Sequence, residues 1–120
     1  MNEKHAIPAF AALSQETRLR IVRLLVKAGA AGMAAGAIAS AVKASASTVS
    51  FHLKDLEHAG LTTAERKGRT IIYSANYATL TALVTFLIED CCSGHPDVCT
   101  PALARACLPN EQRRRSAPRA

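Results

Sequence analysis

The pattern of apolar and polar positions divides most of the chain into short amphipathic helices. Residues 5–13 predict a short first helix, with Pro8 accommodated in its first turn. Ser14 is the expected N-cap of a second helix that ends near Gly29. The apolar face of this second helix is predicted to carry Leu19, Val22, Leu25 and Val26.

Two further helices joined by a tight turn are predicted in the middle of the chain. Met33, Ile38, Ala39 and Val42 form the apolar positions of the first of them. After a turn at residues 43–45, a second start signal lies at residues 45–47. Val49, His52, Leu53 and Leu56 then recur at helical spacing as far as Gly60, a natural helix stop. This arrangement predicts a helix-turn-helix.

The hydrophobic period changes after Gly60. Residues 61–66 and 70–75 are β-prone and flank a glycine-containing turn, which predicts a hairpin. The fold class is therefore mainly α with a small β-hairpin, a winged helix-turn-helix. A last helix over residues 77–92 carries a broad apolar stripe, which either covers the core or pairs with a second copy. The stripe consists of Leu80, Leu83, Val84, Leu87 and Ile88.

Small hydroxyl and cationic side chains mark the second helix of the helix-turn-helix as a candidate DNA-reading element. Ser and Thr can bond phosphates or base edges, and Lys54 can reach phosphate. Phe51 either contacts a thymine methyl group or packs against a neighbouring helix. The hairpin tip adds cations that suit phosphate or minor-groove contacts. The candidate DNA-binding residues are Ser45, Ser47, Thr48, Ser50, Phe51, His52, Lys54, Arg66, Lys67 and Arg69.

Length, charge and hydropathy limit the class of protein. A chain of 120 residues fits one domain, and its formal charge of +6 favours a polyanionic partner. Four of the arginines lie in residues 108–120 against a single glutamate, which is typical of a basic flexible tail. No apolar stretch is long enough to span a membrane and no signal peptide is evident, so we expect a cytoplasmic protein.

All four cysteines fall near the end of the chain, at Cys91, Cys92, Cys99 and Cys107. In a reducing compartment such a cluster indicates metal binding or redox activity. Soft thiolate ligands favour thiophilic metal ions over Mg²⁺ or Ca²⁺. The sequence from Cys99 to Arg105 also matches the Cys-x₅-Arg loop of thiol phosphatases. We interpret that match as chance, because no strand precedes it and Pro101 removes an amide donor.

The segment Ser47–Leu61 closely resembles the recognition-helix signature of the ArsR (ArsR/SmtB) family of winged-helix repressors. The segment Ser14–Ile21 resembles the second-helix motif of that family, and Gly68-Arg69 followed by Ile72-Tyr73 resembles its wing. The resemblance covers roughly residues 8–92. It implies a homodimer formed through the first and last helices. It also implies that the ligand-free form binds operator DNA and is released when an inorganic ion binds.

Only one of the family's ion sites has matching residues here. The Cys-Val-Cys arsenic site is absent from residues 37–42, and residues 77–88 lack the Asp, His and Glu of the zinc site in the last helix. Residues 91–99 resemble instead the variant arsenic site at the end of the last helix. The resemblance thus implies As(III) or Sb(III) as inducer on Cys91, Cys92 and Cys99, with Cys107 or His95 as an optional further ligand.

Three other interpretations of the thiols remain open. Cys91 or Cys92, His95, Cys99 and another cysteine could form a Cys₃His zinc site. A disulfide such as Cys92–Cys99 could act as a redox sensor, or the thiols could be incidental. The predicted organisation is a DNA-binding and dimerisation domain over residues 1–92, a cysteine-containing ligand loop over 93–107 and the basic tail over 108–120.

Overall fold

The computed structural model describes residues 1–88 of the chain, which form five α-helices and three short β-strands. In chain order they are α1 (Glu3–Leu13), α2 (Glu16–Ala28), β1 (Met33–Ala34), α3 (Ala35–Val42), α4 (Ala46–His58), β2 (Thr62–Lys67), β3 (Thr70–Ala75) and α5 (Tyr77–Ile88). The chain divides into two compact units, residues 1–86 and 87–120. The predicted end of the last helix after residue 88, the ligand loop and the basic tail lie outside the described residues.

The first two helices are confirmed, but the start of each differs from the prediction. Helix α1 begins at Glu3 because Asn2 Oδ1 accepts a hydrogen bond from the His5 amide at 3.2 Å, which places Pro8 beyond the first turn. The predicted N-cap at Ser14 is wrong. Gln15 Oε1 accepts the Arg18 amide at 2.8 Å, whereas the Ser14 hydroxyl donates back to the α1 carbonyl of Ala11.

The buried face of α2 is also rotated from the predicted one. Ile21, Val22 and Leu25 are buried, whereas Leu19 and Val26 are 45% and 41% exposed. Leu19 and Val26 lie about 100° around the helix from the centre of the buried set. The predicted face therefore included two positions at its edge and omitted Ile21, whose side chain is fully enclosed by the core.

The sheet has three strands, one more than the predicted hairpin. β2 and β3 pair antiparallel from Thr62↔Ala75 to Lys67↔Thr70, and β1 pairs antiparallel with the other edge of β3. Met33 was predicted to lie in a helix, but it lies opposite Tyr73 in this sheet. Gly32 directly before β1 has a φ of 64°, and an added Cβ would lie 2.5 Å from the Tyr73 carbonyl oxygen.

Helices α3 and α4 form the predicted helix-turn-helix. Lys43 ends α3 in the left-handed conformation, with a φ of 57°, and Ser45 caps α4. Gly60 has a φ of 78° and ends α4, as predicted, with the Leu61 amide donating to the Leu56 carbonyl at 2.9 Å. Val49, Leu53 and Leu56 anchor α4 in the core that α1, α2 and α3 also line.

Helix α5 leaves the sheet directly after β3 and buries only part of its apolar stripe. Leu83 is 3% exposed and Leu80 is half-buried, whereas Val84 is 47% exposed. The Tyr77 hydroxyl at the start of α5 donates to the Val26 carbonyl at 2.8 Å, which connects α5 to the end of α2. In the part of the chain that the structure describes, no helix is long and apolar enough to cross a membrane.

Candidate nucleic-acid interface

The N-terminus of α4 is fixed by hydroxyl groups that precede and open the helix. Ser45 Oγ accepts the Thr48 amide at 3.2 Å and donates to Thr48 Oγ1 at 2.7 Å. Ser47 Oγ lies 3.3 Å from the same Ser45 oxygen. These bonds satisfy an otherwise unpaired helix amide and hold three hydroxyl groups together at the point where α4 begins.

One face of α4 is buried and the opposite face is open to solvent. Val49, Leu53 and Leu56 are at most 1% exposed, so the rotation of the helix about its own axis is fixed. The outward surface carries hydroxyl, aromatic and cationic groups, with the acceptors and donors that base edges and phosphates require. The predicted residues that are exposed on α4 and its cap are Ser45, Ser47, Thr48, Ser50, Phe51 and Lys54.

Phe51 is the least expected side chain on this surface. It is 66% exposed, and its ring meets the neighbouring His52 ring edge-on, with the ring centroids 6.0 Å apart. The structure therefore does not bury Phe51 against a neighbouring helix of the described chain. A large apolar ring held outward on this face can contact a thymine methyl group.

His52 lies at the border between the two faces of α4. It is half-buried, and its Nδ1 atom is enclosed without a hydrogen-bond partner among the described residues. Helical spacing explains this burial, because His52 lies three residues after Val49 and four before Leu56, at the edge of the buried face. His52 consequently offers less surface to a ligand than Phe51 or Lys54, although it belongs to the predicted set.

An ion pair that the sequence analysis missed holds α4 against the other helices. Arg18 Nη1 lies 3.1 Å from Asp55 Oδ2, and Arg18 Nε donates to the Ala12 carbonyl at 2.7 Å. Arg18 on α2 thus connects the end of α1 to α4. The pairing also places a cation beside the only carboxylate on α4 that is half-buried, so Asp55 presents less negative charge toward a nucleic acid. The one sequence feature that could have pointed to this pair is the position of Arg18 within the family-like segment Ser14–Ile21.

The tip of the β2–β3 hairpin carries the predicted wing cations. Gly68 adopts a φ of 66°, which lets the two strands reverse direction, and Arg66 Nε donates to the Gly68 carbonyl at 3.3 Å. Arg66, Lys67 and Arg69 are all exposed. Side chains with flexible stems and cationic ends at a protruding tip can contact phosphates on either side of a groove.

The predicted ion ligands lie outside the described residues. This applies to Cys91, Cys92, Cys99, Cys107 and His95. Within residues 1–88, no group of three or more His, Cys, Asp or Glu side chains could hold a metal ion.

Comparisons with known proteins agree with this geometry. A family model described as a helix-turn-helix domain matches residues 13–64. NolR from Sinorhizobium fredii is 32% identical in a match that covers 72% of this chain and 83% of NolR, with a TM-score of 0.59. A homodimeric winged helix-turn-helix DNA-binding domain from Mycobacterium bovis, a possible ArsR-family transcriptional regulator, is 29% identical; the match covers 77% of this chain and 85% of that domain, with a TM-score of 0.58. This chain belongs to the ArsR family.

A third similar structure is that of a possible transcriptional regulator for arsenical resistance. It is 29% identical in a match that covers 66% of this chain and 79% of that protein, with a TM-score of 0.59. Among curated protein sequences, none matches the chain. ArsR-family proteins are transcriptional regulators and not enzymes. Helices α3 and α4 and the three-stranded sheet of this chain correspond to the winged helix-turn-helix of that family.

Proposed function

We propose that this protein is an arsenite-responsive transcriptional repressor. A homodimer binds operator DNA through two copies of α4 and of the wing, and it leaves the DNA when trivalent arsenic or antimony binds cysteine thiolates. The observation that carries the DNA-binding part is the outward face of α4. Its apolar residues are buried on one side, and the other side presents Ser47, Ser50, Phe51 and Lys54 to solvent.

The proposed dimer uses the first and last helices. Ile7 on α1 is 64% exposed, and Val84 on α5 is 47% exposed, although both are large apolar side chains. The similar domain from Mycobacterium bovis is homodimeric. Pairing of two chains would remove these side chains from water and would set the spacing between the two recognition helices.

The proposed inducer site consists of Cys91, Cys92 and Cys99. The support is chemical, because three thiolates complete the coordination of a soft trivalent ion, and one similar structure is of a possible regulator for arsenical resistance. The cysteines follow α5 closely in sequence. Drawing them together on one ion would alter the end of the proposed dimer helix, which is how ion binding would reach the DNA-reading helices.

The experiment adds three kinds of reagent separately to the reduced protein bound to an operator duplex selected from a random pool. We expect arsenite or antimonite to release the duplex, whereas zinc and peroxide leave it bound. Release by zinc alone would favour the zinc-responsive alternative, whose suggested ligands include His95. Release by peroxide alone would favour the thiol redox sensor. Retention of the duplex under all three additions would contradict an ion-released or oxidant-released repressor.

The DNA-binding part has its own test. Replacing Lys54 by Ala should weaken binding uniformly across sequences and reduce the slope of log K against log salt by about 0.9 for each phosphate that the variant no longer neutralises. Glu57→Gln is the matched control, because Glu57 is an exposed charged residue on the same helix. Unchanged affinity and slope in Lys54→Ala would remove Lys54 from the DNA footprint.

A further inference from the structure

A cationic groove lies between α2 and the end of α3, outside the interface described above. It has a volume of about 560 Å³. Four of its seven lining residues are cationic and none is acidic, so the groove is a concentrated site of positive potential. The lining residues are Arg20, Arg23, Leu24, Lys27, Ala41, Val42 and Lys43.

Within residues 1–88, only one of the four cations that line this groove has an ion-pair partner. Arg20 pairs with Glu16 at 2.6 Å, in an ion pair that is exposed to solvent. Within residues 1–88, no carboxylate lies within ion-pair distance of Arg23, Lys27 or Lys43. Arg23 and Lys27 are four residues apart on one helix, where like charges destabilise each other. An anion bound between them would relieve that repulsion.

The position of the groove indicates which polyanion would reach it. Lys43 ends α3, and Ser45, two residues later, caps α4. In helix-turn-helix complexes the second helix enters the major groove while the first crosses the DNA backbone. Here the first of these helices is α3, and its last residues, Ala41 and Val42, line the cationic groove. A duplex read by α4 would therefore bring its own backbone to this part of the surface.

We propose that the groove formed by Arg23, Lys27 and Lys43 binds DNA backbone phosphates that flank the bases contacted by α4. This inference rests on the proposed DNA-binding function and extends its footprint beyond the recognition helix and wing. The groove contributes affinity without sequence preference, since guanidinium and ammonium groups bind phosphate through charge-assisted hydrogen bonds. Because these phosphates flank the bases that α4 contacts, the groove makes the affinity for DNA depend on the length of the duplex.

The test uses a triple variant of the full chain, Arg23→Ala, Lys27→Ala and Lys43→Asn. The three side chains lie outside the buried core, and asparagine tolerates the left-handed conformation at position 43, so the fold should be retained. Binding is measured on a selected operator duplex and on the same duplex with its flanks shortened stepwise. Lys27→Ala and Lys4→Ala form a matched pair, because both remove an exposed lysine from a helix and only Lys27 lines the groove.

The expected result has two parts. The salt slope of the triple variant falls by about 0.9 for each phosphate that the groove no longer neutralises. Wild-type protein loses affinity when the flanks are removed, whereas the triple variant is insensitive to flank length. In the matched pair, Lys27→Ala lowers the slope and Lys4→Ala does not.

Other outcomes would overturn the proposal in distinguishable ways. If the wild-type protein bound no duplex at all, the proposed function would fail first. If it bound DNA and lost affinity in Lys54→Ala, but the triple variant kept the wild-type slope and flank dependence, only the groove assignment would fail. Inorganic phosphate is the second probe. If the triple variant no longer bound phosphate but bound DNA as the wild-type protein does, the groove would be assigned to a free anion. Loss of binding to an acidic peptide with unchanged DNA binding would assign it to a protein.

Discussion

Helices α4 and α5 carry similar apolar patterns in the sequence but present opposite surfaces to solvent. Every aliphatic anchor of α4 is buried, and its outer face is polar apart from Phe51. Helix α5 buries Leu83 fully and leaves Val84 and Leu87 exposed at 47% and 63%. A polar outer face with donors and acceptors fits a nucleic acid, whereas an apolar outer face fits another protein surface. Substitutions on the outer face of α4 are therefore expected to affect DNA binding, whereas substitutions on the outer face of α5 are expected to affect dimerisation.

The largest expected effect is on the buried side of α4. Leu53→Ala should lower the free energy of unfolding by about 2–5 kcal/mol, because it removes a fully buried side chain and leaves a cavity. Chemical denaturation of the two proteins measures this difference. Leu19→Ala is the control. Leu19 is 45% exposed on α2, so its replacement should lower the free energy of unfolding much less. Equal losses in both variants would contradict the assignment of the core face.

The next effect tests the apolar outer face of α5. Val84→Lys should raise the dimer dissociation constant by roughly a hundredfold, because the ammonium group would lose its hydration in the proposed interface. Sedimentation over a range of concentrations measures the shift. Thr85→Lys adds the same charge at an adjacent exposed position and should have little effect. A Val84→Lys protein that dimerises normally would remove α5 from the dimer interface near this residue.

A smaller effect is expected at the ion pair behind α4. Arg18→Ala should lower the free energy of unfolding by about 1–2 kcal/mol, because Asp55 and the Ala12 carbonyl lose a charged donor in a partly buried place. Arg20→Ala is the matched control, as its pair with Glu16 is exposed and should contribute about 0.5 kcal/mol or less. If the denaturation curves of the two variants coincided, the ion pair of Arg18 with Asp55 would not hold α4.

The smallest effect concerns the apolar residue on the polar face of α4. If Phe51 contacts a thymine methyl group, replacing one thymine in each half-site by uracil should weaken wild-type binding about fivefold. Phe51→Ala should bind the thymine and uracil duplexes equally, because the ring is no longer there to sense the methyl group. Equal sensitivity of both proteins to uracil at every position would exclude the methyl contact.

The sequence predicted the parts of the fold that depend on local signals. Ser45, Gly60 and Gly68 mark the start of α4, its end and the hairpin turn, and each lies where the local rules place it. Strand β1 was missed because two residues carry no periodicity, and Met33 is held by pairing with Tyr73 far along the chain. A cap at Gln15 in place of Ser14 likewise depends on how α1 ends.

The candidate site likewise has one part that the sequence predicts and another that depends on tertiary packing. The outward face of α4 follows from helical geometry once Val49 is taken as buried. The Arg18–Asp55 pair joins residues 37 positions apart, and the cationic groove joins α2 to the end of α3. Neither juxtaposition is visible in a linear sequence, because tertiary packing and not spacing brings these charges together. The predicted cysteine site remains a prediction from sequence.

Release of DNA by an ion bound at three cysteines is the central proposal for this protein. The most direct measurement titrates arsenite into one sample of reduced protein and operator while free thiols and bound duplex are monitored together. We expect three thiols per chain to be consumed as the duplex is released, and we expect Cys107→Ser to behave as wild type. Replacing Cys91, Cys92 and Cys99 by serine should abolish release. Release that persists in that variant, or thiol consumption that leaves the duplex bound, would contradict the proposed mechanism.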